Sequence, residues 1–174
     1  MLDERRTVRF ADDPTVEAAV HIDAPPSAVW PFVTDFDVLA RFSDEFQGGA
    51  WLDPSTSPGV GARFRGHNEN PRAAWDVTCT VTDWQPGRAF GWLVENPDAP
   101  AADWRFTLEA EDGGTRLGYR ARMGPGPSGV TSFIAEHPDA EERIVDNRLA
   151  AWTANMEATL DGIRGLAEGG PGFD

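Results

Sequence analysis

The stretch from Glu141 to Glu168, EERIVDNRLAAWTANMEATLDGIRGLAE, decides what the rest of this chain can be. Val145, Leu149, Trp152, Met156, Leu160 and Ile163 recur at spacings of three and four. On a helix of about 3.6 residues per turn that spacing makes one apolar stripe roughly six turns long. Glu142, Arg143, Asn147 and Glu157 occupy the opposite face. His137-Pro138 opens the segment, and Asp139, Glu141 and Glu142 bring negative charge to the end where the helix dipole favours it. A helix of this length needs a broad apolar partner, and the chain before it must supply one.

That partner is legible as a series of strands. Alternation of apolar and polar residues marks a strand with one dry face. Val16, Ala18, Val20 and Ile22 share a face, with Glu17 and His21 on the other. A run from Val60 puts Ala62, Phe64, Gly66 and Asn68 together, while Arg63, Arg65, His67 and Glu69 face away. Trp75, Val77, Cys79 and Val81 form the next set, and Phe90, Trp92 and Val94 the one after. Trp104, Phe106 and Leu108 follow, then Leu117, Tyr119, Ala121 and Met123. A short strand is expected near Phe46–Leu52, without a clear phase. Pro58-Gly59, Pro86-Gly87, Pro97-Asp98 and Asp112-Gly113-Gly114 supply turns of hairpin length, so the sheet is antiparallel.

Between the first strand and the meander, Pro25-Pro26 opens a short helix through Val29, Trp30, Phe32 and Val33. A second short helix follows through Val38, Leu39 and Phe42. The expected fold is therefore α+β: a curved antiparallel sheet of six to seven strands wrapped around a long C-terminal helix, with two short helices after the first strand. Residues 15–168 form one domain, residues 1–14 a flexible arm and residues 169–174 a disordered tail. The space between sheet and helix is the natural pocket.

Composition narrows the function classes. The 174 residues carry a formal net charge of −14, and all 15 basic residues are arginine. That balance argues against a nucleic-acid partner, since such binding relies on neutralising phosphates. No apolar run reaches the ~18 residues of a membrane span and the start lacks a signal-peptide core, so membrane insertion is not expected and a cytoplasmic location is. Cys79 is the single cysteine, and no two of the three histidines stand at ligand spacing, so neither a metal nor another cofactor is expected. Nothing in the chain speaks to its oligomeric state.

Five segments carry a resemblance: HIDAPPSAVWPFVTDFDVLARF, GVGARFRGHNE, TVTDWQPGRAFGWLV, WRFTLEAEDGGTRLGYRARM and the C-terminal stretch. Together they make residues 16–168 resemble a START-like, helix-grip domain, and within that superfamily the bacterial polyketide cyclase/dehydrase and lipid-transport group. The resemblance implies the helix-grip fold. It also implies one of several jobs that group members perform: binding lipids, sterols or polyketides, aromatase/cyclase activity, or engaging protein partners.

Strand parity indicates which residues face the pocket. Phe64, Trp75, Trp92, Trp104, Leu149 and Trp152 are its expected apolar lining, with Asn68 and Tyr119 as polar features. The tryptophans either line a cavity or fill it. Asn68 is either a ligand anchor or a local hydrogen-bonding amide. Tyr119 either packs or acts on a carbonyl or enolate oxygen. These two and His137, which precedes the long helix, are the candidates for catalysis. Arg122, Arg143 and Arg148 are placed near the mouth, and Gly124–Phe133 reads as an entrance loop. Cys79 reads as a small buried hydrophobe. Three functions remain open on this reading: binding or carriage of a small hydrophobic or aromatic molecule, a polyketide cyclase or dehydratase, and a co-chaperone-like or regulatory interaction module.

Overall fold

The structure, a computed structural model, describes residues 8–53 and 57–169. After a 3-10 turn at Phe10–Asp12, strand β1 runs Thr15–Ile22, helix α1 Pro26–Val33 and helix α2 Phe36–Arg41. The meander follows as β2 Phe46–Trp51, β3 Arg63–Asn70, β4 Ala73–Gln85, β5 Ala89–Val94, β6 Ala102–Glu111 and β7 Gly114–Met123. Helix α3 spans Gly129–Glu136, and a 3-10 turn at Pro138–Ala140 leads into helix α4, Glu141–Ala167. The seven strands form one sheet in the order β1-β7-β6-β5-β4-β3-β2, antiparallel at every pairing. Helix α4 lies across its concave side, against β1, β7 and α1.

Local chemistry explains the short helices. Pro26 starts α1 where an unpaired N–H would otherwise sit. Asp35 caps α2 by accepting from the N–H groups of Asp37 and Val38 at 2.9 and 3.3 Å. Both helices turn buried residues inward (Val29 and Val33, then Phe36, Val38 and Leu39), closing one end of the sheet.

The apolar stripe of α4 is buried at Val145, Trp152, Met156, Leu160 and Ile163. It divides the interior in two. Leu160 and Ile163 join the larger cluster with α1, α2 and the sheet. Val145, Trp152 and Met156 join a second cluster with Ala121 and Met123. Val8, Phe10, Val130, Ile134 and Leu149 pack onto that second cluster. The stretch before β1 is thus held to the body, and the Phe10 N–H donates to the Glu141 carboxylate at 3.0 Å. The rest of the expected arm, residues 1–7, lies outside the described residues, as does the expected tail beyond Gly169.

Three expectations change. Val60 does not open a strand: it is 71% exposed in a turn, where the Ala62 N–H bonds back to the Gly59 carbonyl at 3.0 Å. Gly124–Phe133 is not a loop throughout. Ser128 and Thr131 form a reciprocal cap that starts α3 at Gly129, and the preceding Gly124 and Gly126 lie so close to the Ala99–Ala101 backbone that a Cβ would collide with it. Third, β4 carries a bulge between Val81 and Asp83. The extra residue switches the inward parity from odd to even, so Trp84 pairs with Phe90 on the core face.

Candidate functional site

Between the sheet and α4 lies a cavity of about 160 Å³. Its apolar walls come from Phe64 on β3, Trp75 and Cys79 on β4, Trp92 on β5, Trp104 on β6, and Trp152 and Met156 on α4. The polar groups reaching it are Ser43 and Glu45 from the α2–β2 connection, Asn68, Tyr119, and Arg148, Asn155 and Thr159 along α4. Seven of the eight residues expected to bind ligand therefore meet around one space.

Leu149 is the exception. It packs in the second cluster beside Val130 and Ile134, because α3 occupies the flank where the sequence suggested an open loop. His137 is also displaced from the site. It is exposed between α3 and the following turn, with its ring 5.1 Å from that of Phe133. Of the three arginines placed at the mouth, Arg148 alone lines the cavity. Arg122 points to Asp103 on the outer face at 3.6 Å, and Arg143 is solvent-exposed.

The tryptophans do two jobs. Trp92 and Trp104 lie nearly parallel with centroids 6.4 Å apart, Trp104 touches Trp152 at 4.9 Å, and Trp92 meets Phe90 at 4.8 Å. Contacts continue from Phe90 to Trp84, then to Trp51 and Trp30, at 5.2, 6.0 and 5.2 Å. Rings thus fill one end of the interior, while Trp75, Trp92, Trp104 and Trp152 also wall the remaining space. Trp51 and Trp84 were missing from the sequence reading, since β2 lacked a clear phase and the bulge hid the parity of Trp84.

The Tyr119 ring is fixed by Phe106, its cross-strand neighbour, stacked at 3.8 Å between centroids with 13° between planes. It is enclosed on all sides yet keeps accessible surface, because that surface faces the cavity. Burial, with a smaller contribution from Cys79, pushes its pKa upward, so the phenol stays protonated at neutral pH. No described protein group hydrogen-bonds its hydroxyl or the Asn68 amide. The Trp152 indole N–H is buried and also lacks an acceptor. Cys79 is pushed up to about 12, first by burial and then by Glu95, which leaves a thiol without nucleophilic character.

At the other end, Glu45 and Arg148 form a bidentate pair, with both oxygens 2.6 Å from guanidinium nitrogens. The Arg148 guanidinium also lies over the Trp152 ring at 5.4 Å. The pair spans from α4 to the α2–β2 connection, which the Glu69 N–H ties to β3 through the Glu45 carbonyl at 2.9 Å. This places the polar end of the cavity beside β2 and β3, away from α3. Two surface clusters, His21 with Asp23 and Glu111 and His67 with Glu69 and Asp76, lie outside the cavity. Among the described residues no group of three or more His, Cys, Asp or Glu side chains could hold a metal.

The model for polyketide cyclase/dehydrase and lipid-transport proteins matches residues 13–168. The chain belongs to that family. No curated protein matches it. The solution structure of the Polyketide_cyc-like protein Cgl2372 from Corynebacterium glutamicum is 31% identical, covers 88% of this chain and 91% of its own, and superposes with a TM-score of 0.64. The Zhui aromatase/cyclase from Streptomyces sp. R1128 is 21% identical over 91% of this chain and 99% of its own, with a TM-score of 0.66. The di-domain ARO/CYC StfQ of the steffimycin biosynthetic pathway is 14% identical over 95% of this chain and 53% of its own, with a TM-score of 0.70. The last two share the helix-grip fold. Among the described residues no helix of this family member is long and apolar enough to cross a membrane.

Proposed function

We propose that this protein binds a small hydrophobic, aromatic molecule in the space between sheet and α4, to hold or carry it. One observation carries the reading: a partly open space remains among four indoles that could have packed together, and the groups on its wall are suited to contact rather than to proton abstraction. Tyr119 and Cys79 both stay protonated, and the one carboxylate at the cavity, Glu45, is bound to Arg148. Native mass spectrometry of the purified protein tests for a resident molecule. A ligand at 100 times its dissociation constant adds ~2.7 kcal/mol, or roughly 5–10 °C in melting temperature for a domain of this size. A broad panel of aromatic, lipid and polyketide compounds without a shift, and nothing co-purifying, would sink the reading.

A second reading, cyclisation or dehydration of a polyketide-like chain, is favoured by the protonated and unpartnered Tyr119 hydroxyl. Such a group can polarise a carbonyl and deliver a proton to the oxygen. Structural relatives described as aromatase/cyclases support it by analogy of fold. On this reading Tyr119→Phe lowers kcat by about 10²-fold or more, well beyond its effect on KM. Equal losses in both would leave the tyrosine a binding role only.

A further inference from the structure

We infer that the cavity selects a neutral aromatic of one or two rings that carries an acceptor oxygen, held by the Tyr119 hydroxyl, and that the Glu45–Arg148 pair turns carboxylates away. This rests on the proposed ligand-binding role and adds size, polarity and charge to it.

Size comes first. At about 160 Å³ the space compares with an engineered apolar cavity of about 150 Å³ that admits benzene, and falls below the ~300 Å³ at which ligand pockets for larger molecules begin. A substituted ring or a fused pair matches that volume, whereas a four-ring compound exceeds it.

Polarity follows from unused donors. A buried polar group without a partner is uncommon and costly, so each one calls for a reason. Here the buried Trp152 indole N–H lacks an acceptor, and the Tyr119 hydroxyl, on a residue that keeps accessible surface, has no protein partner among the described residues; Tyr119 and Trp152 flank Trp104, at centroid distances of 5.4 and 4.9 Å. Stacking on Phe106 fixes the phenol ring, so its hydroxyl waits in place for an acceptor. Asn68 adds a third unpartnered polar group to the lining, from β3.

Charge is decided at the other end. Arg148 is the one cation among the residues lining the cavity, and Glu45 already satisfies it through two short contacts. A ligand carboxylate would have to displace Glu45 and then lie beside it, within a protein of net charge −14. A neutral ketone, aldehyde or phenol leaves the pair intact.

Acetophenone, ethylbenzene and benzoate are near-isosteric probes that separate these points, and 1-acetylpyrene supplies a four-ring ketone. Their dissociation constants can be read by NMR titration of the full chain. The expected result is acetophenone roughly tenfold tighter than ethylbenzene, the increment of one hydrogen bond. Benzoate should be weaker than acetophenone by at least about tenfold, and 1-acetylpyrene should not bind. Tyr119→Phe should bring the acetophenone-to-ethylbenzene ratio to about one while ethylbenzene affinity holds, and an unchanged melting curve would verify the fold. Glu45→Gln should free Arg148 and shift the benzoate-to-acetophenone affinity ratio about tenfold toward benzoate, with a melting curve to verify the fold. Equal binding of acetophenone and ethylbenzene, tightest binding by benzoate, or binding of 1-acetylpyrene overturns the inference and leaves the broader ligand-binding reading standing. If none of the four probes binds, and the compound panel is silent too, both fall.

Discussion

Two glycines three residues apart in α4 should respond to the same substitution with opposite signs. An ideal Cβ built at Gly162 lies 2.3–2.5 Å from three ring carbons of Phe42, whereas one built at Gly165 meets nothing within 4 Å. Carbon atoms pack comfortably at ~3.5–4.0 Å, so the Phe42 ring or the helix must retreat by about 1 Å to admit the methyl group. Overpacking of this kind costs about 1–3 kcal/mol, and the helix propensity gained on replacing glycine offsets up to ~1 kcal/mol of it. Gly162→Ala should therefore lose roughly 1–2 kcal/mol, and Gly165→Ala, near the frayed end, should gain about 0.5 kcal/mol. At ~2–4 °C per kcal/mol, the melting temperatures move about 2–8 °C down and 1–2 °C up. Urea titrations followed by circular dichroism measure both. In a Phe42→Ala background the Gly162→Ala change should become neutral or stabilising, since the obstructing ring is gone. If Gly162→Ala stabilises as Gly165→Ala does, the close approach of Phe42 to α4 is not what the structure describes. The matter bears on the site as well, because Phe42 immediately precedes the Ser43–Phe46 stretch that forms the polar end of the cavity.

Removing the Glu45–Arg148 link by Arg148→Met should cost roughly 1–3 kcal/mol, between the values for exposed and buried pairs, because the side chains are 18% and 25% exposed; a double-mutant cycle with Glu45→Gln measures the coupling, and none would show the pair to be incidental. The His21 ring is raised above its ordinary 6.5 by Glu111 and then Asp23, and His67 by Glu69 and then Asp76. Their protonated forms thus favour the folded state: the contribution is complete below pH 6.5 and disappears as pH rises through the folded values, so NMR titration should place both above 6.5 and His67→Gln should flatten the stability profile there. Cys79, buried with its thiol pushed up to about 12, should resist a thiol-reactive disulfide reagent at pH 8 in the native protein and react at once when unfolded; rapid labelling of folded protein would contradict its packing.

The fold was legible because two periods dominate the sequence. The three-and-four spacing of Val145 to Ile163 yields α4, and strict alternation yields β1 and β3 through β7 with their inward residues. Where alternation was interrupted, the reading stopped. The phase of β2 was hidden by an irregularity between Phe46 and Gly48, and Trp84 changed sides at the Val81–Asp83 bulge. Helix α3 is masked in the sequence by the glycines and prolines before it, although Ser128 and Thr131 at cap spacing, followed by Ile134 four residues after Val130, carry its signal. The site was half legible for a related reason. Side chains on strands can be assigned to a face from parity alone, so Phe64, Asn68, Trp75, Trp92, Trp104 and Tyr119 could be placed on the face that lines the cavity. The Glu45–Arg148 pair joins residues 103 positions apart, and no local pattern encodes such a meeting.

The run of touching rings from Trp30 to Trp152 also has an evolutionary consequence. In this molecule the volume open to a ligand is set by side chains more than by the course of the backbone. A descendant could admit a larger guest by trimming an indole while keeping the sheet, the long helix and the Tyr119 hydroxyl in place. Each full truncation of a buried ring costs about 3–5 kcal/mol, a large part of the ~5–15 kcal/mol that holds a typical domain together. Such lineages would therefore advance by single, partial reductions, each needing the new guest or a compensating change elsewhere to restore stability. Guest size and fold stability are coupled through the same rings.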